Sequence, residues 1–141
     1  MLVLDTDHLS LMEWNQCLAR KTLLQRLSAV SPDEVFTTVV TYEEQTRGWM
    51  AYAARARTTS QQIDMYRKLE RHLDLYRRVW VLGFDERAGT EFDRLRAARL
   101  RVGTMDLRIA AIALAHRATV LTRNLKDFNR VPDLQVEDWT V

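Results

Sequence analysis

Four acidic side chains lie where an apolar strand has just ended or a helix has just begun. They are Asp5, Glu44, Asp106 and Asp127. Asp5 directly follows the apolar run Leu2–Leu4 in MLVLDTDHLS, and Asp7 comes two positions later. Because ligands of open α/β sheets bind at the carboxyl ends of the strands, we expect these carboxylates to lie near one another. Carboxylates that share a site raise one another's pKa unless a cation neutralises them.

An all-oxygen ligand set favours a hard divalent cation, with Mg²⁺ expected and Mn²⁺ as the alternative. Zinc is disfavoured, because His8, His72 and His116 show no paired spacing and Cys17 is the single cysteine. A divalent metal at the edge of an α/β sheet commonly serves phosphoryl chemistry, in which it activates a water and stabilises the leaving oxygen. The acids therefore predict a metal site of that kind.

Two of these acids also have a structural interpretation in helix capping. Thr41 and Glu44 fit a capping box, in which a glutamate in the first turn reaches back to the amide of the N-cap residue. Thr104 fits an N-cap, with Asp106 merely favoured in the first turn by the helix dipole. Both interpretations remain open from the sequence.

The other acids have similar alternatives. Asp5 and Asp7 fit a turn or the cap of the next helix, and Asp127 fits a solvent-facing position. Because capping is common, a single acid is weak evidence for a metal site. The metal interpretation depends on the four acids occurring together at one predicted edge of the sheet.

Short apolar strands alternate with amphipathic helices along the chain. The predicted strands are Leu2–Leu4, 35–40, 79–82, Thr119–Leu121 and 134–136. The predicted helices are residues 17–30, a segment that begins at Thr41, residues 61–78, residues 85–99 and a segment that begins at Thr104. Leu2–Leu4 lacks polar alternation, as expected for a parallel strand covered on both faces. We predict an α/β fold of three layers, α/β/α, with a mainly parallel central sheet of about five strands.

Length and composition indicate one domain over residues 1–141. The chain is 47% hydrophobic and 28% charged, which is ordinary for a globular protein. No apolar stretch approaches the roughly 20 residues that span a bilayer, and the start lacks the pattern of a signal peptide. A single cysteine suits a reducing compartment. We therefore expect a cytoplasmic location without a membrane partner.

Positive charge is concentrated in the second part of the chain. Residues 1–50 carry 4 basic and 7 acidic side chains, whereas residues 51–141 carry 17 and 12. Five arginines fall within fifteen positions: Arg94, Arg96, Arg99, Arg101 and Arg108. Such a run is either a solvated helix face, which is the commoner case, or a surface that contacts phosphate backbones.

Four segments give the chain a resemblance to a known family. LDTDHLS, VVTYEEQTRG, VGTMDLRIAAIALA and TVLTRNLKDFNRVPDLQVEDW follow one another as the motifs of PIN domains do. More narrowly, the chain resembles the VapC toxins of bacterial toxin–antitoxin systems. The resemblance covers nearly the whole chain, although residues 55–82 carry no family signature. It implies a PIN-like fold and a Mg²⁺-dependent endoribonuclease that hydrolyses RNA phosphodiesters, with transfer RNA or ribosomal RNA as the substrate.

The resemblance also implies roles for individual residues. It makes Asp5, Glu44 and Asp106 the acids that hold the metal, and Asp127 a fourth catalytic residue that orients water or helps to hold a second ion. Asn124 stands where many members carry an acid. The residues that the resemblance implies in substrate binding are Thr6, Arg99, Arg101, Arg123 and Asn124. The alternative acid for the second motif, if its register is shifted by one position, is Glu43.

The same resemblance implies two partners. One is a second copy of the chain, which forms a homodimer, and the other is a small VapB-like antitoxin that occupies the acidic groove. The ribonuclease interpretation has two alternatives. One is a catalytically silent PIN module that only binds, against which the presence of all three acids argues. The other is a haloacid-dehalogenase-like phosphatase with Asp5 as nucleophile and Asp7 as general acid. It is disfavoured because Leu9 replaces the expected Thr or Val and no acidic pair follows a late strand.

Overall fold

The computed structural model describes residues 1–14 and 16–141. Its described residues form one sheet of five parallel strands in the order β3-β2-β1-β4-β5. The strands are β1 (Leu2–Leu4), β2 (Val35–Thr38), β3 (Trp80–Leu82), β4 (Thr119–Leu121) and β5 (Gln135–Glu137). Because β1 pairs with both β2 and β4, the strand that ends at Asp5 is the centre of the sheet. The predicted parallel sheet of about five strands is confirmed.

Helices cover both faces of this sheet. They are α1 (Thr6–Trp14), α2 (Leu18–Leu27), α3 (Val39–Ala53), α4 (Thr59–Tyr76), α5 (Glu86–Ala97), α6 (Thr104–Ala115) and α7 (Leu125–Phe128), with a 3₁₀ turn at Pro32–Glu34. No helix among the described residues is long and apolar enough to span a bilayer.

Successive residues of the central strands point to opposite faces and contribute to two cores. Val3 and Val120 pack in one cluster with α5 and α6, whereas Leu4 and Leu121 pack in another with α1 and α2. These four side chains are fully buried. Since both faces at the centre of the sheet are covered, β1 is apolar throughout. The predicted three-layer α/β/α arrangement is therefore confirmed.

Helix α6 is buried on almost every side. Six of its residues are fully or nearly fully buried alanines and isoleucines: Ile109, Ala110, Ala111, Ile112, Ala113 and Ala115. The small side chains let α6 pack closely against α5 and the sheet. Asp106, in the first turn of α6, is therefore carried by a rigid element.

One expected helix start was wrong, and one open capping interpretation does not hold. Helix α3 begins at Val39 rather than at Thr41, because the Thr38 hydroxyl accepts the Thr41 N–H at 3.0 Å and caps the helix. Thr41 is thus not an N-cap, and the capping box with Glu44 does not form. Helix α6 is capped at Gly103, so Thr104 is its first residue and not its N-cap. Helix α1 was not predicted at all.

Candidate active site

Asp5 lies at the carboxyl end of β1 and is 6% exposed. Its Oδ1 accepts the backbone N–H of Thr6 at 2.7 Å, and its Oδ2 accepts the Thr122 hydroxyl at 2.8 Å. Burial, with the charges of Asp7 and Asp106, raises the pKa of Asp5 to about 7. At neutral pH this carboxyl group is therefore only partly ionised unless positive charge is brought to it.

Glu44 lies in the second turn of α3 rather than in the first turn, and its side chain reaches toward α1. The Thr6 hydroxyl donates to Glu44 Oε1 at 3.1 Å. Burial and the charge of Asp106 raise the pKa of Glu44 above its usual range. Glu43 instead forms an ion pair with Arg47 one turn later on the same helix. The structure thus places Glu44, and not Glu43, among the acids.

Asn124 lies between the other two acids. Its Nδ2 amide donates to Asp106 Oδ2 at 3.2 Å and to Asp127 Oδ2 at 3.0 Å. Burial, followed by the charge of Asp127, raises the pKa of Asp106. Arg130 lies 3.7 Å from Asp127 and donates to the Arg101 carbonyl at 2.6 Å. A neutral amide therefore separates two carboxylates at a position where a third acid would add repulsion.

His8 is a buried residue beside the site whose contacts the sequence did not reveal. It is fully buried, its Nδ1 lies 2.8 Å from Asp7 Oδ1, and its Nε2 accepts the Trp139 N–H at 3.2 Å. We infer that the ring proton is on Nδ1, because Nε2 faces a donor. Asp7 Oδ2 in turn accepts the Arg123 N–H at 2.9 Å. Asp7 and His8 therefore connect the C-terminal segment to the loop that carries Asn124.

The donor set fits a hard divalent cation in its chemistry. Asp5, Glu44 and Asp106 offer carboxylate oxygens, which such cations prefer as ligands. The pKa of each is raised by burial and by the negative charge of neighbouring acids. In the described part of the chain, no three His, Cys, Asp or Glu side chains are already arranged as metal ligands. The three carboxylates accept hydrogen bonds from Thr122, Thr6 and Asn124. They would exchange some of these bonds on ligating a metal.

The predicted phosphate contacts separate into two groups. Arg94 and Arg96 form ion pairs with acids three residues earlier in α5, as expected of a solvated helix face. Arg99, Arg101 and Arg123 are exposed and, among the described residues, their guanidinium groups form no ion pair. Arg99 and Arg101 belong to the loop that leads into α6, and Arg123 precedes Asn124. Along the chain, these three therefore lie close to Asp106 and Asn124.

Comparison with known proteins supplies a family. The model of the PIN domain family matches residues 3–134. Ribonuclease VapC1 of Haemophilus influenzae (strain R2866) is 31% identical over 126 residues, which are 85% of this chain and 86% of that protein. The tRNA(fMet)-specific endonuclease VapC of Salmonella typhimurium is 36% identical over 66 residues, or 44% of this chain. The matches to the first two curated relatives span about half of their length, 54% and 50%.

Solved structures agree with the sequence matches. The structure of VapBC-1 from nontypeable Haemophilus influenzae superposes with a TM-score of 0.74. The aligned chains are 28% identical, and the alignment covers 99% of this chain and 98% of the other. The likeness therefore extends over the sheet and all of the helices that surround the acids.

Proposed function

We propose that this chain, which belongs to the PIN domain family and to its VapC group, is a metal-dependent endoribonuclease that acts as the toxin of a toxin–antitoxin pair. The observation that carries the proposal is the placement of Asp5, Glu44 and Asp106 at one edge of the sheet, each with a raised pKa. Such a site is suited to bind a cation before or together with a phosphodiester.

Each residue of the site has a defined task in this proposal. Asp5, Glu44 and Asp106 hold Mg²⁺, with Mn²⁺ as the alternative ion. When bound, the ion lowers the pKa of a water and stabilises the leaving oxygen of the phosphodiester. The Thr6 hydroxyl orients Glu44 through its 3.1 Å hydrogen bond. Asp127 is the fourth acid and orients the attacking water.

Asn124 and Thr122 position these acids rather than react. The Asn124 amide fixes the spacing between Asp106 and Asp127, and the Thr122 hydroxyl fixes Asp5. Because such hydrogen bonds set the direction of each carboxylate, their loss would misplace a ligand without removing it.

Substrate binding is assigned to exposed cations around the acids. Arg99, Arg101 and Arg123 contact phosphates of the RNA, and Thr6 and Asn124 lie closest to the scissile phosphate. Phosphate contacts of this kind release counterions, so binding weakens steeply as salt rises. The support is their exposure beside the acidic edge and their lack of ion-pair partners in the described chain.

The partners proposed for this chain are an RNA, a second copy and a VapB-like antitoxin, in the cytoplasm. The substrate class is transfer RNA or ribosomal RNA, and a relative that is named for cleavage of tRNA(fMet) supports the former. The VapBC-1 structure, in which the aligned chain is 28% identical over nearly the whole of this chain, supports the antitoxin. The phosphatase alternative loses support, because both Asp7 oxygens already have partners, the Arg123 N–H and the His8 ring.

End-mapping of total cellular RNA tests the nuclease. Purified protein is incubated with RNA and Mg²⁺, beside EDTA, an Asp106→Asn variant and an Asp93→Asn control on the exposed face of α5. Discrete cuts in the wild type and the control, absent with EDTA and with Asp106→Asn, are expected. Binding of RNA without any cut would instead identify a silent module. Cuts that survive in Asp106→Asn would show that the site is wrongly placed.

A further inference from the structure

A cleft of about 510 Å³ opens beside the acids, between α1 and α3. We call it the α1–α3 cleft. It is lined by Thr6, Ser10, Glu13, Gln45, Gly48, Trp49, Tyr52 and Lys68. Its volume lies within the range of about 300–1,000 Å³ that small-ligand sites occupy. Since Thr6 lines this cleft and also donates to Glu44, the cleft is continuous with the acidic site.

Aromatic rings form the wall of the cleft that lies on α3. Trp49 is half-buried and meets Tyr52 edge to face, with ring centroids 5.8 Å apart and planes at 86°. The Lys68 ammonium lies 4.8 Å from the centre of the Tyr52 ring and forms an ion pair with Asp64 at 3.0 Å. The end of the cleft away from the acids is therefore aromatic and carries a cation.

The floor of the cleft is polar and its amide is held in one orientation. Tyr76 donates to Gln45 Oε1 at 2.6 Å, and Gln45 Nε2 donates to Ser10 Oγ at 3.1 Å. With these two bonds in the described chain, the amide retains one N–H and one oxygen lone pair for a ligand. An aliphatic group in the cleft would leave both unpaired, whereas a heterocycle with donors and acceptors on its edge would not.

We propose that the α1–α3 cleft receives one nucleobase of the RNA strand, next to the phosphodiester held at the acids. This inference rests on the proposed ribonuclease function and names a specificity site for it. The base stacks on Trp49, its edge faces Gln45 and Ser10, and Lys68 faces the strand beyond it. Stacking of this kind is available only to an unpaired base, so the substrate segment is single-stranded.

Filling the cleft tests the proposal without risk to the fold. Gly48 lines the cleft, and a Cβ on Gly48 would meet no atom within 4 Å. Leucine in place of a mid-helix glycine also favours the helix. Gly48→Leu therefore blocks the cleft in a folded protein. Gly89→Leu in α5 is the matched control, because a Cβ on Gly89 likewise meets no atom within 4 Å and Gly89 lies outside the cleft.

Binding is measured in the Asp106→Asn background, so that no RNA is cut. The probes are a labelled uridine oligonucleotide of about 12 residues and an abasic ribose-phosphate oligomer of equal length and charge. Gly48→Leu and Trp49→Ala are expected to weaken uridine binding ~10-fold and to leave abasic binding unchanged. Trp49→Phe retains most of the affinity. Gly89→Leu changes neither probe.

Two results would overturn the assignment. One is uridine binding unaffected by Gly48→Leu, which would leave the cleft to a protein side chain. The other is an equal loss for both probes, which would show that the cleft acts through charge or fold alone. A failure of the ribonuclease proposal gives a different pattern. In that case the wild-type protein cuts no RNA in the mapping experiment, whatever the binding measurements with the two probes show.

Discussion

The Thr122 hydroxyl donates a 2.8 Å hydrogen bond to Asp5 Oδ2 across 117 positions of sequence. The two residues meet because β4 lies beside β1 and both strands end at the same edge of the sheet. This bond lowers the pKa of Asp5, whereas burial and the neighbouring acids raise it by more. The charge of the central acid therefore depends on a neutral hydroxyl from the far end of the chain.

Removing that hydroxyl should raise the pKa of Asp5 above about 7 in the metal-free protein. In Thr122→Val the carboxylate loses a donor that favours its charged form, while its burial is unchanged. Thr122→Ser keeps the donor and serves as the control. The measurement is a pH titration of the Asp5 carboxyl carbon by NMR. An Asp5 pKa that is the same in Thr122→Val and the wild type would contradict this account.

Stability of the metal-free protein should fall as pH rises from about 4 to about 7. The ordinary pKa of an aspartate carboxyl group is 3.8 and that of Asp5 in the fold is about 7, so the folded state binds the proton more tightly than the unfolded state. At 1.36 kcal/mol per pKa unit, this group alone lowers the free energy of unfolding by at most about 4 kcal/mol over that range.

Urea denaturation at several pH values measures this effect, and Asp5→Asn isolates it from other titrating groups. The variant should be more stable than the wild type at about pH 8, with little difference at about pH 4. Added Mg²⁺ should stabilise the wild type more at the higher pH, since the cation binds the ionised carboxylate. The prediction fails if Asp5→Asn and the wild type show the same pH dependence.

Placing an acid at position 124 should make the stability of the folded protein depend on bound metal. Asn124→Asp removes the amide that donates to Asp106 and Asp127 and adds a third negative charge beside them. We expect a loss of about 2 kcal/mol in metal-free stability, from lost bonds to charged acceptors. Thermal unfolding with and without Mg²⁺ measures it, with recovery expected on adding the ion. Asn129→Asp, at an exposed position, is the control.

Arg99 should contribute to RNA binding while it lowers the conformational stability of the protein. Its φ of 53° is a left-handed conformation that costs a non-glycine residue about 1 kcal/mol. Arg99→Gly should therefore unfold at a higher temperature yet bind RNA more weakly, with the slope of log affinity against log salt reduced by about 1. Arg96→Gln removes a cation that is paired with Asp93 and should change neither property. Equal salt slopes for Arg99→Gly and the wild type would exclude a phosphate contact.

Some elements were predictable because local and tertiary signals agree. Strands Leu2–Leu4 and Thr119–Leu121 have the expected bounds, since short apolar runs buried on both faces are unambiguous in an α/β context. The start of α3 was not predictable, because Val39 and Val40 are β-branched and continue the strand pattern. There the cap at Thr38 decides the boundary against local propensity.

The site was predictable in its acids but not in what holds them. Asp5, Glu44 and Asp106 could be named because strand ends and helix starts meet at one edge. His8 could not, because its partner Trp139 lies 131 positions away and meets it only in the folded chain. The roles of the acids stay predictions that the variants above test, and the single domain over residues 1–141 also stays a prediction.

The central position of β1 has a consequence for protein synthesis. β1 leaves the ribosome well before its neighbour β4 and the loop with Asn124 are translated. A nascent chain that has reached only α5 carries Asp5 and Glu44 but neither Asp106 nor the hydroxyl of Thr122. The acid cluster therefore assembles only after translation has passed Asn124. Under the proposed function, a growing chain therefore lacks the complete set of acids until that point.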